Sequence, residues 1–102
     1  MITTVVNFRL LAAMTLEQAE VAFNGSASKY RGLPGLVRKY YLLSEDGMTA
    51  GGVYLWHSRG DAEQLYNEEW RSFIRSKYGC EPVVSYFDSP VIVDNAQPAA
   101  RA

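Results

Sequence analysis

The sequence predicts an α+β fold, with four strands in one antiparallel sheet and two helices arranged in the order βαββαβ. Three observations predict it. Four short runs are rich in Val, Leu, Tyr and Phe and bounded by turn residues. Two longer runs carry apolar residues at helical spacing, each opened by a capping residue with Gln three positions on. Glu45-Asp46-Gly47 separates two of the strand-like runs, so the central strands form a hairpin.

In chain order, residues 3–11 form the first strand, with Val5, Val6, Phe8, Leu10 and Leu11 among Asn7 and Arg9. Thr15 caps the first helix with Gln18 completing a capping box, and Leu16, Ala19, Phe23, Ala27 and Tyr30 follow at helical spacing. Asn24, Gly25 and Ser26 are weak helix formers, so a break or bend is expected near Gly25. Gly32 and Pro34 stop the helix. Residues 35–44 form the second strand and residues 49–58 the third. A second helix opens at Asp61, carries Leu65, Tyr66, Trp70, Phe73 and Ile74 on one face, and ends before Gly79. Residues 82–87 form the fourth strand, and Val91-Ile92-Val93 extends it beyond Pro90 or crosses to another sheet. Residues 1–95 read as a single domain and residues 96–102 as a fraying tail. The order is that of a ferredoxin-like sandwich.

Counts exclude several function classes. With 102 residues the chain suits one domain, and its net charge of −1 gives no basic excess for neutralising phosphates, so no nucleic-acid partner is expected. One histidine, His57, and one cysteine, Cys80, cannot build a Cys/His zinc site or a two-histidine iron site within one chain. No run approaches the roughly 20 apolar residues of a membrane span, and the N-terminus lacks the pattern of a signal peptide. No membrane partner and a cytoplasmic location are expected.

Splitting each strand by its alternation locates an excess of apolar surface. In the second strand Leu36, Arg38, Tyr40 and Leu42 share one face, and Val37, Lys39, Tyr41 and Leu43 the other. Tyr54 and Trp56 oppose Val53 and Leu55 in the third, and Val6, Phe8 and Leu10 oppose Val5, Asn7, Arg9 and Leu11 in the first. Both faces are largely apolar, whereas two helices cover one. The economical cover for the other is a second copy, giving a two-fold homodimer. An RNA-stacking reading of Tyr54 and Trp56 lacks the basic entry and glycine-aromatic pattern that such platforms carry.

Gly35-Leu36, Lys39, the block Gly51-Gly52-Val53-Tyr54-Leu55-Trp56, Tyr66 and Val83-Val84-Ser85-Tyr86-Phe87 together resemble a known family. It comprises small bacterial proteins named as monooxygenases and related to the antibiotic biosynthesis monooxygenases, in the dimeric α+β barrel superfamily. The resemblance spans residues 3–95. It implies a dimer whose two sheets close a barrel with the helices outside. It also implies oxidation of an aromatic or phenolic small molecule by O2 with neither metal nor flavin. The same superfamily holds isomerases, haem enzymes and plain ligand binders, so an isomerase-like enzyme and a non-catalytic ligand-binding or regulatory dimer stay open.

Oxidation without a cofactor asks the protein for a base, a donor or cation to hold an anion, and apolar walls. His57 is the natural base, unless it only helps turn the chain into the second helix. Arg9 is a candidate anion holder and Asn7 an amide donor, unless both serve an intersubunit hydrogen-bond network. Tyr66, Trp70 and Phe73 form core or line a substrate pocket between helix and sheet, and Tyr40, Tyr41 and Tyr54 add hydroxyls, one of which would sit near Arg9. Arg38 and Lys39 read as strand residues reaching solvent along their stems. Cys80 reads as structural, and Glu68-Glu69 as a solvated helix face. A haem-degrading relative would pair a first-strand asparagine with a second-helix tryptophan and a later histidine. Asn7 and Trp70 match in type, but no histidine follows Trp70.

Overall fold

The structure, a computed structural model, describes residues 1–96, so most of the expected tail lies outside the described residues. It contains β1 (Ile2–Arg9), α1 (Leu16–Tyr30), β2 (Leu36–Leu43), β3 (Thr49–Trp56), α2 (Arg59–Leu65), α3 (Glu68–Tyr78) and β4 (Val83–Asp88). The strands form one sheet in the order β2-β3-β1-β4, every neighbouring pair antiparallel. This is the predicted ferredoxin-like arrangement, with β4 at an edge, where the flanking prolines Pro82 and Pro90 remove no ladder bond. No helix among the described residues is long and apolar enough to cross a membrane.

The first helix starts as its sequence dictates. Thr15 Oγ1 accepts from the Gln18 amide at 3.1 Å, and the Thr15 amide donates back to Gln18 Oε1 at 2.9 Å. The expected break at Gly25 does not occur. Ala19, Ser26 and Tyr30 are buried on either side of it, and Ser26 Oγ shares a 2.9 Å hydrogen bond with the Tyr41 hydroxyl of β2. Packing on the sheet outweighs the local weakness, which is worth only about 1 kcal/mol. Leu16, placed by spacing on the inner stripe, is 77% exposed.

The single helix expected from Asp61 is two. Ser58 caps α2, accepting from the Asp61 amide at 3.2 Å. Tyr66 then leaves helical geometry, at φ −82° and ψ 50°, and Asn67 caps α3 by accepting from the Trp70 amide at 2.9 Å. The Asn side chain offers the backbone a new start there. The break lets Tyr66, Trp70 and Ile74 all reach the core.

Sheet register corrects one facial assignment. Leu36 pairs with Trp56 and Arg38 with Leu55, so Val37 is an extra residue in a β-bulge. The bulge turns Leu36 onto the same face as Lys39, Tyr41 and Leu43, where it packs against the core, and leaves Val37 exposed. At Gly51 the sheet tolerates no side chain, because a Cβ would sit 1.7 Å from the Val6 carbonyl oxygen of β1.

The helices cover one face of the sheet. Thr4, Val6, Phe8, Ala50, Tyr54 and Trp56 are buried beneath them, which removes the RNA-stacking reading, since Tyr54 is 2% and Trp56 0% exposed. The other face, open in that no helix covers it, carries Val5, Asn7, Arg9, Arg38, Tyr40, Val53 and Leu55. Residues 89–96 run from β4 across this open face to β2, where Asp94 meets Arg38 at 3.1 Å. Val91-Ile92-Val93 lies in this crossing and is not a strand.

Two glycine substitutions should therefore move stability in opposite directions. Gly51→Ala should cost several kcal/mol, through displacement of β1 from β3. Gly25→Ala, whose Cβ would meet nothing nearer than Lys77 Nζ at 3.5 Å, should gain about 0.5–1 kcal/mol. Chemical denaturation of both variants checks this pair.

Candidate functional site

The space between helices and sheet is an aromatic layer crossed by hydrogen bonds. Trp56 Nε1 donates to Thr4 Oγ1 at 3.0 Å, and Thr4 Oγ1 lies 2.6 Å from the Tyr66 hydroxyl. Trp70 Nε1 donates to the Tyr30 hydroxyl at 3.1 Å. The rings meet edge to face, Tyr66 against Trp70 with centroids 4.8 Å apart and Tyr54 against Tyr66 at 5.6 Å. Burial raises the titration of Tyr30, Tyr54 and Tyr66 above the ordinary phenolic range and pushes Tyr78 up to about 12. These hydroxyls keep their protons at neutral pH and serve as donors, never as bases.

Lys39 is the exception in this layer. Its sequence context points to solvent, but it lies on the helix side of β2 and is directed inward. Its stem runs across Gly52, where a Cβ would be 3.1 Å from Lys39 Cε. Its Nζ rests 3.5 Å from the Tyr30 ring centroid, 3.6 Å from that of Tyr41 and 4.7 Å from that of Tyr54. Burial, and secondarily the charge of Lys77, lowers its titration to about 6. The void that Lys39 lines with Tyr54, Phe73 and Tyr78 measures only about 10 Å³, room for one water. On its outer side Lys39 also lines a groove of about 410 Å³ between α1 and the β2 edge.

The predicted substrate-binding residues divide. Tyr54, Tyr66 and Trp70 share the aromatic cluster, and Phe73 lines the void beside Tyr54 with Lys29 Nζ 4.0 Å from its ring centroid. Tyr40 is on the open face, where it is 56% exposed. The predicted catalytic residues do not converge within the chain. Asn7 and Arg9 lie on the open face, separated by the sheet from Tyr54, so no Tyr54 hydroxyl reaches Arg9. His57 follows Trp56, which pairs with Ile2, whereas Arg9 pairs with Thr49. Eight residue steps along the strand thus separate the level of Arg9 from His57, roughly 27 Å at about 3.4 Å each. Asn7 and Trp70 likewise lie on opposite faces, which takes apart the pairing a haem-degrading relative would need. Cys80 is half-buried, with its thiol titration raised by burial. Among the described residues no three His, Cys, Asp or Glu side chains gather to hold a metal ion.

Solved structures share this architecture. SnoaB, a cofactor-independent oxygenase from Streptomyces nogalater, superimposes with a TM-score of 0.65 at 17% identity, over 90% of this chain and 95% of its own. A monooxygenase from the gene ActVA-Orf6 of Streptomyces coelicolor, solved with the ligand nanaomycin D, gives a TM-score of 0.69 at 17% identity, over 93% and 92%. A candidate antibiotic biosynthesis monooxygenase from Deinococcus radiodurans gives 0.68 at 10% identity, over 95% and 100%. The fold is that of the antibiotic biosynthesis monooxygenases. At these identities the likeness is one of fold. No protein-family model matches the chain, and no curated protein does.

Lys39→Met tests what the buried amine costs. Between about pH 6, where folded Lys39 titrates, and about pH 10, where an unfolded lysine does, the unfolded chain holds a proton that the folded chain lacks. Stability contributed by this group therefore rises with pH across that window and is lost as pH falls through it. The Met variant should be more stable than wild type by up to a few kcal/mol. The gain should be largest at and below about pH 6 and should fade as pH approaches about 10. Urea denaturation at stepped pH reads this directly, and a pH-independent gain would mean that Lys39 stays charged when folded.

Proposed function

We propose that the chain is a cytoplasmic small-molecule oxygenase of the cofactor-independent kind, acting with O2 on an aromatic or phenolic substrate held against the helix-side aromatic layer. The observation that carries this reading is the layer itself. Tyr30, Tyr54 and Tyr66 are hydroxyl donors that keep their protons, set among the apolar walls of Trp56, Trp70 and Phe73. Such a site excludes water and offers donors to a developing oxyanion. The fold shared with SnoaB and ActVA-Orf6 supports the same direction.

The reaction asks little else. A phenolic O–H gives up its proton, and the phenolate passes one electron to O2. The resulting radical and superoxide join in a C–O bond, and proton return gives a hydroperoxide. Loss of water from it leaves a quinone, so one O2 is consumed and one water formed. Apolar walls keep the radical pair from solvent.

The same reading makes the chain a homodimer joined through its open face. Tyr40 and Phe87, exposed at 56% and 54%, with Val53 and Leu55 between them, form an apolar surface that a second copy would cover. Asn7 and Arg9 are then intersubunit hydrogen-bonding groups, and His57 at the end of β3 is a structural residue. A second reading, a non-catalytic regulatory dimer, is favoured by the helix–sheet void of only about 10 Å³, far below the 300–1,000 Å³ or so of most ligand sites.

Oxygen uptake decides between the two. Purified protein with a chelator and no added flavin should consume O2 on a panel of naphthols and hydroxyanthrones. Tyr66→Phe should slow that reaction about tenfold or more, as removal of an oxyanion donor does. Absence of uptake across the panel would favour the non-catalytic dimer. Sedimentation addresses assembly separately: Val53→Glu, a charge in the middle of the open face, should turn a dimer into a folded monomer, and a wild-type monomer at micromolar concentration would refute the interface.

A further inference from the structure

We propose that the groove between α1 and the β2 edge binds a flat, acidic hydroxylated aromatic compound, a phenol or enol that ionises near neutrality, with Lys39 taking its proton and pairing with the anion. This rests on the reading of the chain as acting on phenolic molecules, and it adds the site, the ligand's acidity and the residue that receives the proton.

The groove holds about 410 Å³, enough for a small fused aromatic. Its charged lining is entirely basic, comprising Arg31, Arg38 and Lys39 with no carboxylate, although the chain as a whole is slightly acidic. Arg38 is already held by Asp94 at 3.1 Å. Arg31 and Lys39 have neither an ion pair nor a side-chain hydrogen bond to any described residue. Tyr30 and Tyr41, whose rings flank the Lys39 amine, line the same groove. Asn24 supplies an amide at the rim.

A buried ammonium without an anion is costly, and an amine in that position lowers the cost by giving up its proton. It is then a free base whose protonated form lacks only a counter-ion. A phenol of matching acidity supplies both halves. Its O–H bond breaks, an N–H bond forms on Lys39 Nζ, and the ammonium is left beside the phenolate. No oxidant or further reactant enters this step. The titratable groups facing Lys39 are Tyr30 on α1, Tyr41 on β2, Tyr54 on β3, and Lys77 and Tyr78 on α3. The tyrosines stay protonated and Lys77 repels a second cation, so no neighbour competes for the proton.

Titration with 4-nitrophenol, whose phenolate is yellow, tests the proposal. The measurement is made about one unit below the pH at which free 4-nitrophenol ionises. Wild type should bind it in the yellow form, and the Lys39 Cε resonance of 13C-labelled protein should move to the position of a protonated lysine. Lys39→Met, the variant expected to be more stable than wild type, should lose the yellow form and bind about tenfold or more weakly. Binding with the ligand still colourless, or equal binding to Lys39→Met, overturns the proton transfer while leaving the phenol-site reading intact. Failure of wild type to bind at millimolar 4-nitrophenol overturns both.

Discussion

The structure depends on a stretch of β3 where side chains are missing. Gly51 and Gly52 lie in the central hairpin strand, bonded to β1 on one side and β2 on the other. At Gly51 the Val6 carbonyl oxygen occupies the place of a Cβ, so β1 and β3 approach more closely than any other residue type would allow. At Gly52 the space of a Cβ is bounded by the Tyr40 carbonyl oxygen and the stem of Lys39. One glycine thus sets the spacing of the sheet. The next provides the channel along which a lysine reaches inward. A methyl group at position 52 would stand 2.9 Å from the Tyr40 carbonyl oxygen and 3.1 Å from Lys39 Cε, so both the β2 backbone and the lysine stem would have to shift.

That channel produces an unusual distribution of charge. The helix-side layer is otherwise neutral: tyrosine hydroxyls, indole nitrogens and a threonine satisfy one another, and burial keeps the phenols protonated. Into this layer the fold inserts one amine with ring faces around it and no carboxylate. Two tendencies oppose each other there. Aromatic faces favour an ammonium by about 1–2 kcal/mol. Loss of water disfavours it by more, since the effective penalty for a buried ion is several kcal/mol. Desolvation wins, and the titration of the amine falls to about 6.

Much of the fold was legible because it rests on local chemistry. The Thr15–Gln18 capping box, the Glu45-Asp46-Gly47 turn and the alternation of β1 and β3 are encoded within a few residues each, and the structure reproduces them. The departures are all products of contact across the chain. The bulge at Val37 exists only in the pairing of β2 with β3, and no propensity of Val37 announces it. Continuity of α1 through Gly25 is supplied by Ser26 and Tyr41. The split between α2 and α3 had a readable signal in Asn67 ahead of Glu68-Glu69, a capping residue before an acidic first turn, but the apolar periodicity runs through it. Lys39 was the least legible of the candidate-site residues. A strand lysine next to an arginine resembles a solvated pair, and its burial depends on a glycine thirteen positions away in another strand.

The two faces of the sheet divide the apolar composition between different tasks. Aromatic residues gather beneath the helices, where ring edges, indole donors and hydroxyls make a polarised but dry interior. The open face is more aliphatic, with Val5, Val53 and Leu55 at its centre, and its charged groups, Arg9 and Arg38, stand on the flanking positions. A surface of that kind is suited to recognition of a like surface. The helix side has the opposite character, since a single titratable nitrogen gives it direction. Assembly and chemistry can then be carried on opposite faces of the same four strands, and the edge of β2, where Arg38 faces one side and Lys39 the other, is the place where the two meet.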